Sequence, residues 1–318
     1  MGLPVTVYRS TDVGAPQVNN GTPSEWINVL KKVLVEGYGT KVGLGWTVEF
    51  ENAAAFKIAF RNKVADGGSG GYVQFSSNGA VNTVNATLLV KCAASMTALD
   101  VFIKPLFQRG IFTTSASTHK GWEIIGTSRG FYLIIHCHIE NQIAVSSSAR
   151  SSAVYFIGDI QSYTANDAGI FSFASATNTA SELLNSSSLN EGDTVYCQMN
   201  AADGENANYF YSCKKTHFGI NGYASIDGNA EQRGIDHIMS PIQFTGVATA
   251  LDSKGVAQMN SKSIPYCRGT LPGYHLSTFA GYRTETWPKE ITQNGVKWVL
   301  MRGWFYTGQW INAGTWYD

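Results

Sequence analysis

Charge is scarce in this sequence. Asp, Glu, Lys and Arg make up 14% of its 318 residues, where roughly 25% is usual. The 23 basic residues balance 23 acidic ones, so the formal net charge is zero. A protein that neutralises nucleic-acid phosphates needs a surplus of Lys and Arg, so no nucleic-acid partner is expected. Long apolar runs are missing as well. The longest, such as residues 131–135, fall far short of the ~20 residues of a membrane helix, and no membrane partner is expected. The start, Met1-Gly2-Leu3-Pro4-Val5-Thr6, has no basic stretch followed by an apolar core, so no signal peptide is expected. It fits the loose myristoylation pattern Met-Gly-x-x-x-Ser/Thr, but residues 5–8 read as a first strand and chance explains the match. The five cysteines, Cys92, Cys137, Cys197, Cys213 and Cys267, include no Cys-x-x-Cys pair, so a zinc site of the usual spacing is not supported. Buried free thiols from a reducing compartment are expected.

What is present is an ordinary apolar share, 44%, with 33 Gly and spacers of Ser, Thr, Asn and Ala. The chain is long enough to bury a sizeable core, as two domains or one large β domain. A small neutral protein self-associates unless neighbours cover its surface, which points to an assembled protein.

One helix is well signalled, over residues 23–36. Thr22-Pro23-Ser24-Glu25 forms a capping box with Pro at the first helical position. Trp26, Ile27, Leu30, Val33 and Leu34 follow at helical spacing, and Gly37 supplies the stop. Most of the rest reads as short strands and Gly-rich turns, which predicts a mainly β fold of sandwich or jelly-roll type. Residues 99–107 fit either a strand or a short helix. In residues 131–139, Phe131, Leu133, Ile135, Cys137 and Ile139 share one strand face. Tyr132, Ile134, His136 and His138 share the other, with Glu140 continuing it. Residues 161–192 turn rich in Ser, Asn, Thr and Ala, and a soft domain boundary is placed there. This gives an N-terminal part, 1–160, and a C-terminal part, 161–318, with a Trp-rich tail. In that tail Trp298, Trp304, Trp310 and Trp316 recur every six residues, and Gly303, Gly308 and Gly314 break them into a Trp-anchored meander.

Several patterns could carry chemistry. Gly126-Thr127-Ser128-Arg129-Gly130 matches the Gly-x-Ser-x-Gly nucleophile elbow, which requires a strand-to-helix turn. Here a strand follows, so a plain hairpin is expected. His136, His138 and Glu140 could offer two imidazoles and a carboxylate to one metal; a half-polar outer strand face is the plainer reading. Asp203-Gly204-Glu205-Asn206 is oxygen-rich but lacks the spacing of a calcium loop. The four tail Trp residues could stack on sugars or on a neighbouring subunit, or simply fill a core. Asn20-Gly21-Thr22 and Asn85-Ala86-Thr87 are sequons that an Asn/Thr-rich chain produces by chance.

A series of motifs runs in order along the chain. Tyr8-Arg9-Ser10-Thr11-Asp12 leads to Gly14-Ala15-Pro16, then the helix, Gly37-Tyr38-Gly39-Thr40-Lys41 and Gly45-Trp46-Thr47. Gly126-Thr127-Ser128-Arg129-Gly130-Phe131-Tyr132-Leu133, Tyr155-Phe156-Ile157-Gly158-Asp159-Ile160 and Arg268-Gly269-Thr270-Leu271-Pro272-Gly273 complete it. This order resembles a family of virion structural proteins of tailed bacteriophages, over about residues 5–275. Residues 163–173 depart from it, with Asn166-Asp167 where the family has a Gly-Asp turn. The resemblance implies a non-enzymatic component of the collar or neck, head surface or tail, located in the virion and made in the host bacterial cytoplasm. It implies a homo-oligomer whose partners are its own copies and other virion proteins, with no cofactor and no catalytic residue. The alternatives are a receptor- or glycan-binding fibre or decoration module using the tail Trp residues on a host-surface glycan, and a metal-binding β-barrel enzyme using His136, His138 and Glu140.

Overall fold

The computed structural model describes residues 2–84, 86–111, 121–136, 143, 152–190, 194–206, 208–214, 239–246, 262–277, 285–302 and 308–318. The fold is mainly β, with large antiparallel sheets and one short helix. Residues Pro23–Lys31 are α-helical and widen into one π turn, Lys32–Glu36. The Glu25 carboxylate accepts from the backbone N–H groups of Asn19, Asn20 and Thr22, each at 3.0 Å. Against the upward push of burial, these donors hold its carboxyl below the usual range. At the other end Gly37 adopts φ 81° and donates to the Lys32 carbonyl at 2.6 Å. The late carbonyls of Val33 and Leu34 accept from Leu44 N–H and Trp46 N–H, so the helix end is bonded to the chain that leaves it.

The large sheet has thirteen strands. It runs from Glu290–Gln293 through Val296–Leu300, Gln309–Asn312, Cys267–Ser277, Met239–Thr245, Tyr209–Lys214 and Thr194–Met199. It continues through Phe171–Ser175, Ser152–Asp159, Gly130–His136 and Trp122–Gly126 to Thr6–Arg9. The short strand Gln161–Ser162 pairs off this path with Cys267–Ser277. Residues from both ends of the sheet share one core: Ile125, Tyr132 and Val154 from one side, Val299 and Ile311 from the other. The sheet therefore rolls on itself. Across the roll, Tyr132 Oη donates to the Pro272 carbonyl at 2.9 Å, and Trp316 stands edge-on to Tyr132 with centroids 5.5 Å apart.

A six-stranded sheet packs outside the roll: Thr47–Asn52, Lys57–Arg61, Tyr72–Ser77, Leu88–Ala98 and Val101–Pro105, with Arg109–Ile111 on Leu88–Ala98. The segment left open between strand and helix is thus the strand Val101–Pro105. A first core fills the space between the layers. It joins Trp26, Leu30 and Leu34 of the helix to Ile58, Phe75 and Val90 of the small sheet and to Phe131, Leu133 and Ile135 of the large one. Each such side chain contributes about 2 kcal/mol by leaving water.

Two expectations are corrected here. The half-polar outer face expected for residues 132–140 does not face outward where it is described: Tyr132, Ile134 and His136 are all buried. Tyr132 and Ile134 lie in the second core while Phe131, Leu133 and Ile135 lie in the first, because a layer covers each side of this strand. The expected division into 1–160 and 161–318 falls inside the large sheet. Residues 156–159 pair with 171–174, and Leu3–Pro4 pairs with Thr315–Trp316, so both halves build one core. No helix among the described residues is long and apolar enough to cross a membrane.

Candidate functional site

His136 ends the central strand. It is 4% exposed and stands edge-on to Trp287 with ring centroids 4.3 Å apart. Burial, then the charges of Arg302 and Arg9, hold its imidazole well below its ordinary pKa, and Nε2 has no hydrogen-bond partner among the described residues. His138 and Glu140 lie outside the described residues. Among the described residues no group of three His, Cys, Asp or Glu is placed to hold a metal. A neutral buried imidazole has a measurable consequence. Its stabilising contribution is complete above the unfolded value of 6.5 and is lost as pH falls below it, at up to about 1.4 kcal/mol per pH unit. Urea unfolding of His136→Gln between pH 6.5 and 5 is expected to show a flatter decline than the wild type; equal slopes would contradict a neutral His136.

The tail Trp residues are interior. Trp298 is 8% exposed, Trp310 0% and Trp316 2%. Trp298 and Trp310 pack with Trp287, Ile143 and Leu300, while Trp316 fills the roll. As a correction, these three offer no open indole face to a sugar or a neighbouring subunit, because two sheet faces have already claimed them. Trp304 lies outside the described residues. The Gly-x-Ser-x-Gly segment is a hairpin, with Gly126 opposite Phe131 and Thr127 N–H on the Gly130 carbonyl at 2.9 Å. Ser128 Oγ donates to Asp66 at 2.6 Å. The Asp203–Asn206 loop is a plain turn in which Gly204 N–H meets the Ala201 carbonyl and Glu205 N–H meets Asp203 Oδ1. Cys92 and Cys197 are buried free thiols, and burial pushes Cys197 up to about 12. Cys213 is half-buried and Cys267 exposed, so the expectation of burial does not extend to them.

Two polar groupings escaped the sequence reading. The first sits where the two end strands of the rolled sheet approach. Arg9 bridges Glu123 (Nε–Oε1, 2.6 Å) and Glu290 (Nη2–Oε1, 2.8 Å), and Trp287 Nε1 donates to Glu123 at 3.4 Å. Burial pushes the Glu123 carboxyl up by more than Arg9 pulls it down. With Glu123 1% exposed, this is a clasp between sheet ends whose central carboxylate is buried.

The second is open to solvent. A groove of about 360 Å³ lies between Arg129, Tyr317 and the loop 162–169. The Arg129 guanidinium lies 3.9 Å over the Tyr317 ring, and its Nε donates to the buried Asp159 at 3.4 Å. Asp159 also takes Ser69 N–H at 2.9 Å and Ser69 Oγ at 2.5 Å. Burial, outweighing these donors, pushes its carboxyl up. Tyr317 is pinned by its hydroxyl to the Asp159 carbonyl at 2.7 Å. The one legible signal was the turn dipeptide Asn166-Asp167; nothing in the pattern brings Arg129 and Tyr317 together.

No protein-family model matches this sequence, and no curated protein matches it significantly. The surface therefore has to speak for itself. Among the described residues the most exposed large apolar ones are Val13, 91% exposed, and Val42, 79%. Both sit on loops locked to each other. Asp12 accepts from Lys41 Nζ at 2.6 Å, Tyr38 Oη at 2.8 Å and Arg9 N–H at 2.7 Å. Tyr8 Oη donates to the Val42 carbonyl.

Proposed function

We propose that this protein is a structural component of a tailed-phage particle, assembling with copies of itself on the collar or neck, head surface or tail. The observation that carries the reading is the rigid apolar tip at Val13 and Val42. Two nearly naked valines on hydrogen-bonded loops gain by being covered, and each directly follows a motif that carries the family resemblance, Val13 after Tyr8–Asp12 and Val42 after Gly37–Lys41. Zero net charge with few charged residues suits a surface that lies against neighbours. In light scattering the purified protein is expected to be a homo-oligomer, and Val13→Asp with Val42→Asp to weaken its association by about 100-fold, since burying either charge costs at least about 1.4 kcal/mol. Antibodies raised against it are expected to label virions. A wild type that stays monomeric, or virions that remain unlabelled, would reject the reading.

A further inference from the structure

We propose that the groove between Arg129, Tyr317 and the loop 162–169 binds one neutral, hydroxyl-rich ligand of about hexose size, a saccharide unit. This goes beyond the role in a particle and stands independently of it. A volume of about 360 Å³ falls at the small end of ligand sites. The groove is built before any ligand arrives. Asp167, held by Arg268 through Nε–Oδ2 at 2.6 Å and Nη2–Oδ1 at 2.7 Å, also accepts from Ser162 Oγ at 2.6 Å and Gly169 N–H at 2.9 Å. Thr164 N–H closes on Ser162 Oγ at 3.1 Å. The loop is therefore fixed, and binding costs little ordering.

Within that fixed frame some hydrogen-bonding capacity is unspent. Thr164, Asn166 and Arg129 line the groove, and the Thr164 hydroxyl, the Asn166 amide and both Nη groups of Arg129 have no hydrogen-bond partner among the described residues. Asn166 holds a left-handed φ of 55° at the loop's exposed tip. Gln161 spends only its Nε2, on the Asp318 carbonyl at 3.3 Å. Mixed donors and acceptors on a rim match hydroxyls that both donate and accept. Ile170, half-buried, lines the same space and offers apolar contact to the C–H groups of a sugar ring. Charge decides against an anion. The guanidinium groups of Arg129 and Arg268 are answered by three carboxylates, Asp159, Asp167 and Asp318, so a negative ligand finds no surplus positive charge.

Saturation-transfer NMR on the full chain tests this, with glucose, galactose and N-acetylglucosamine as neutral probes and glucuronate as the anionic one. At least one neutral sugar is expected to take up saturation and glucuronate none. Thr164→Val keeps the side-chain shape and Asn166→Gly keeps the backbone conformation; each is expected to weaken binding about tenfold, a single good hydrogen bond's worth, with unchanged thermal melting. Three results would overturn the proposal: no neutral sugar binding at millimolar concentration, binding of glucuronate alone, or variants that bind as tightly as the wild type. None of these depends on whether the protein is found in a particle.

Discussion

Replacing Arg268 by Met is expected to cost about 3–5 kcal/mol of folding stability, the range for breaking a buried ion pair from one side. Arg268 is 0% exposed and the Asp167 carboxylate 1%. The guanidinium makes two short bonds to that carboxylate, donates to the Asn200 carbonyl at 2.9 Å and to Tyr211 Oη at 3.3 Å, and lies over the Tyr211 ring. One side chain thus ties the strand Cys267–Ser277 to the strand Tyr209–Lys214, the end of Thr194–Met199 and the loop 162–169. Met fills similar volume, so the loss is chiefly electrostatic. Asp167 would be left charged and buried with only Ser162 and Gly169 as donors. The double variant Arg268→Met with Asp167→Asn removes the stranded charge and keeps an acceptor for both donors, and is expected to recover more than half of the loss. Urea unfolding measures both. A single variant within about 1 kcal/mol of wild type, as for an exposed pair, would show that the pair is not sealed from water.

The helix and the 126–130 hairpin were legible because their signals are local. A capping box and a glycine stop need no tertiary partner, and Gly126 and Gly130 bracket a turn whose strands follow at once. The chain's layers were not legible. Residues 131–136 alternate between two cores, and nothing in an alternating pattern tells a strand with one wet face from one clad on both sides when the second face carries Tyr and His. The false domain boundary has a definite cause. Residues 176–190 are mostly small and polar, as a linker would be, yet Ser186, Ser188 and Asn190 are buried and act as an interior strap. Ser188 Oγ accepts from Val154 N–H at 2.5 Å, and Leu189 N–H donates to the Val154 carbonyl at 2.8 Å. Asn190 Nδ2 donates to the carbonyls of Ser152 and Arg302 at 3.1 and 2.8 Å. Arg109 Nη2 holds the strap's start through the Thr179 carbonyl at 2.6 Å. Small polar side chains can serve backbone groups that a buried irregular segment leaves unpaired, and composition alone reads the same residues as solvated. The Trp spacing left burial and ligand contact both open. A period of six does not show which surface covers each ring: Trp298 and Trp310 pack with Trp287, whereas Trp316 fills the roll.

Replacing Arg9 by Met is expected to be costly near neutral pH and much less so in acid. The guanidinium is the ion-pair link described between the end strands Thr6–Arg9 and Glu290–Gln293, and it is the charge partner of Glu123, which is 1% exposed. Without it Glu290 still has Lys297 at 2.6 Å, whereas Glu123 keeps only the Trp287 indole at 3.4 Å. Burial already raises the Glu123 carboxyl above its ordinary 4.5 with Arg9 present, and removing Arg9 raises it further. A carboxyl whose folded pKa is raised binds its proton more tightly when folded. Its contribution is intact below about pH 4.5 and declines as pH rises through the folded value, at up to about 1.4 kcal/mol per unit. The variant is therefore expected to lose about 3–5 kcal/mol at pH 7 and to approach wild type near pH 4. Adding Glu123→Gln removes the titrating group while preserving an acceptor for Trp287, and is expected to flatten the profile. Urea unfolding across pH 4–8 on the three proteins checks this. A loss in Arg9→Met that is the same at both ends of the range would mean that the clasp acts through packing on Trp287, 5.9 Å from the guanidinium, rather than through the charge on Glu123.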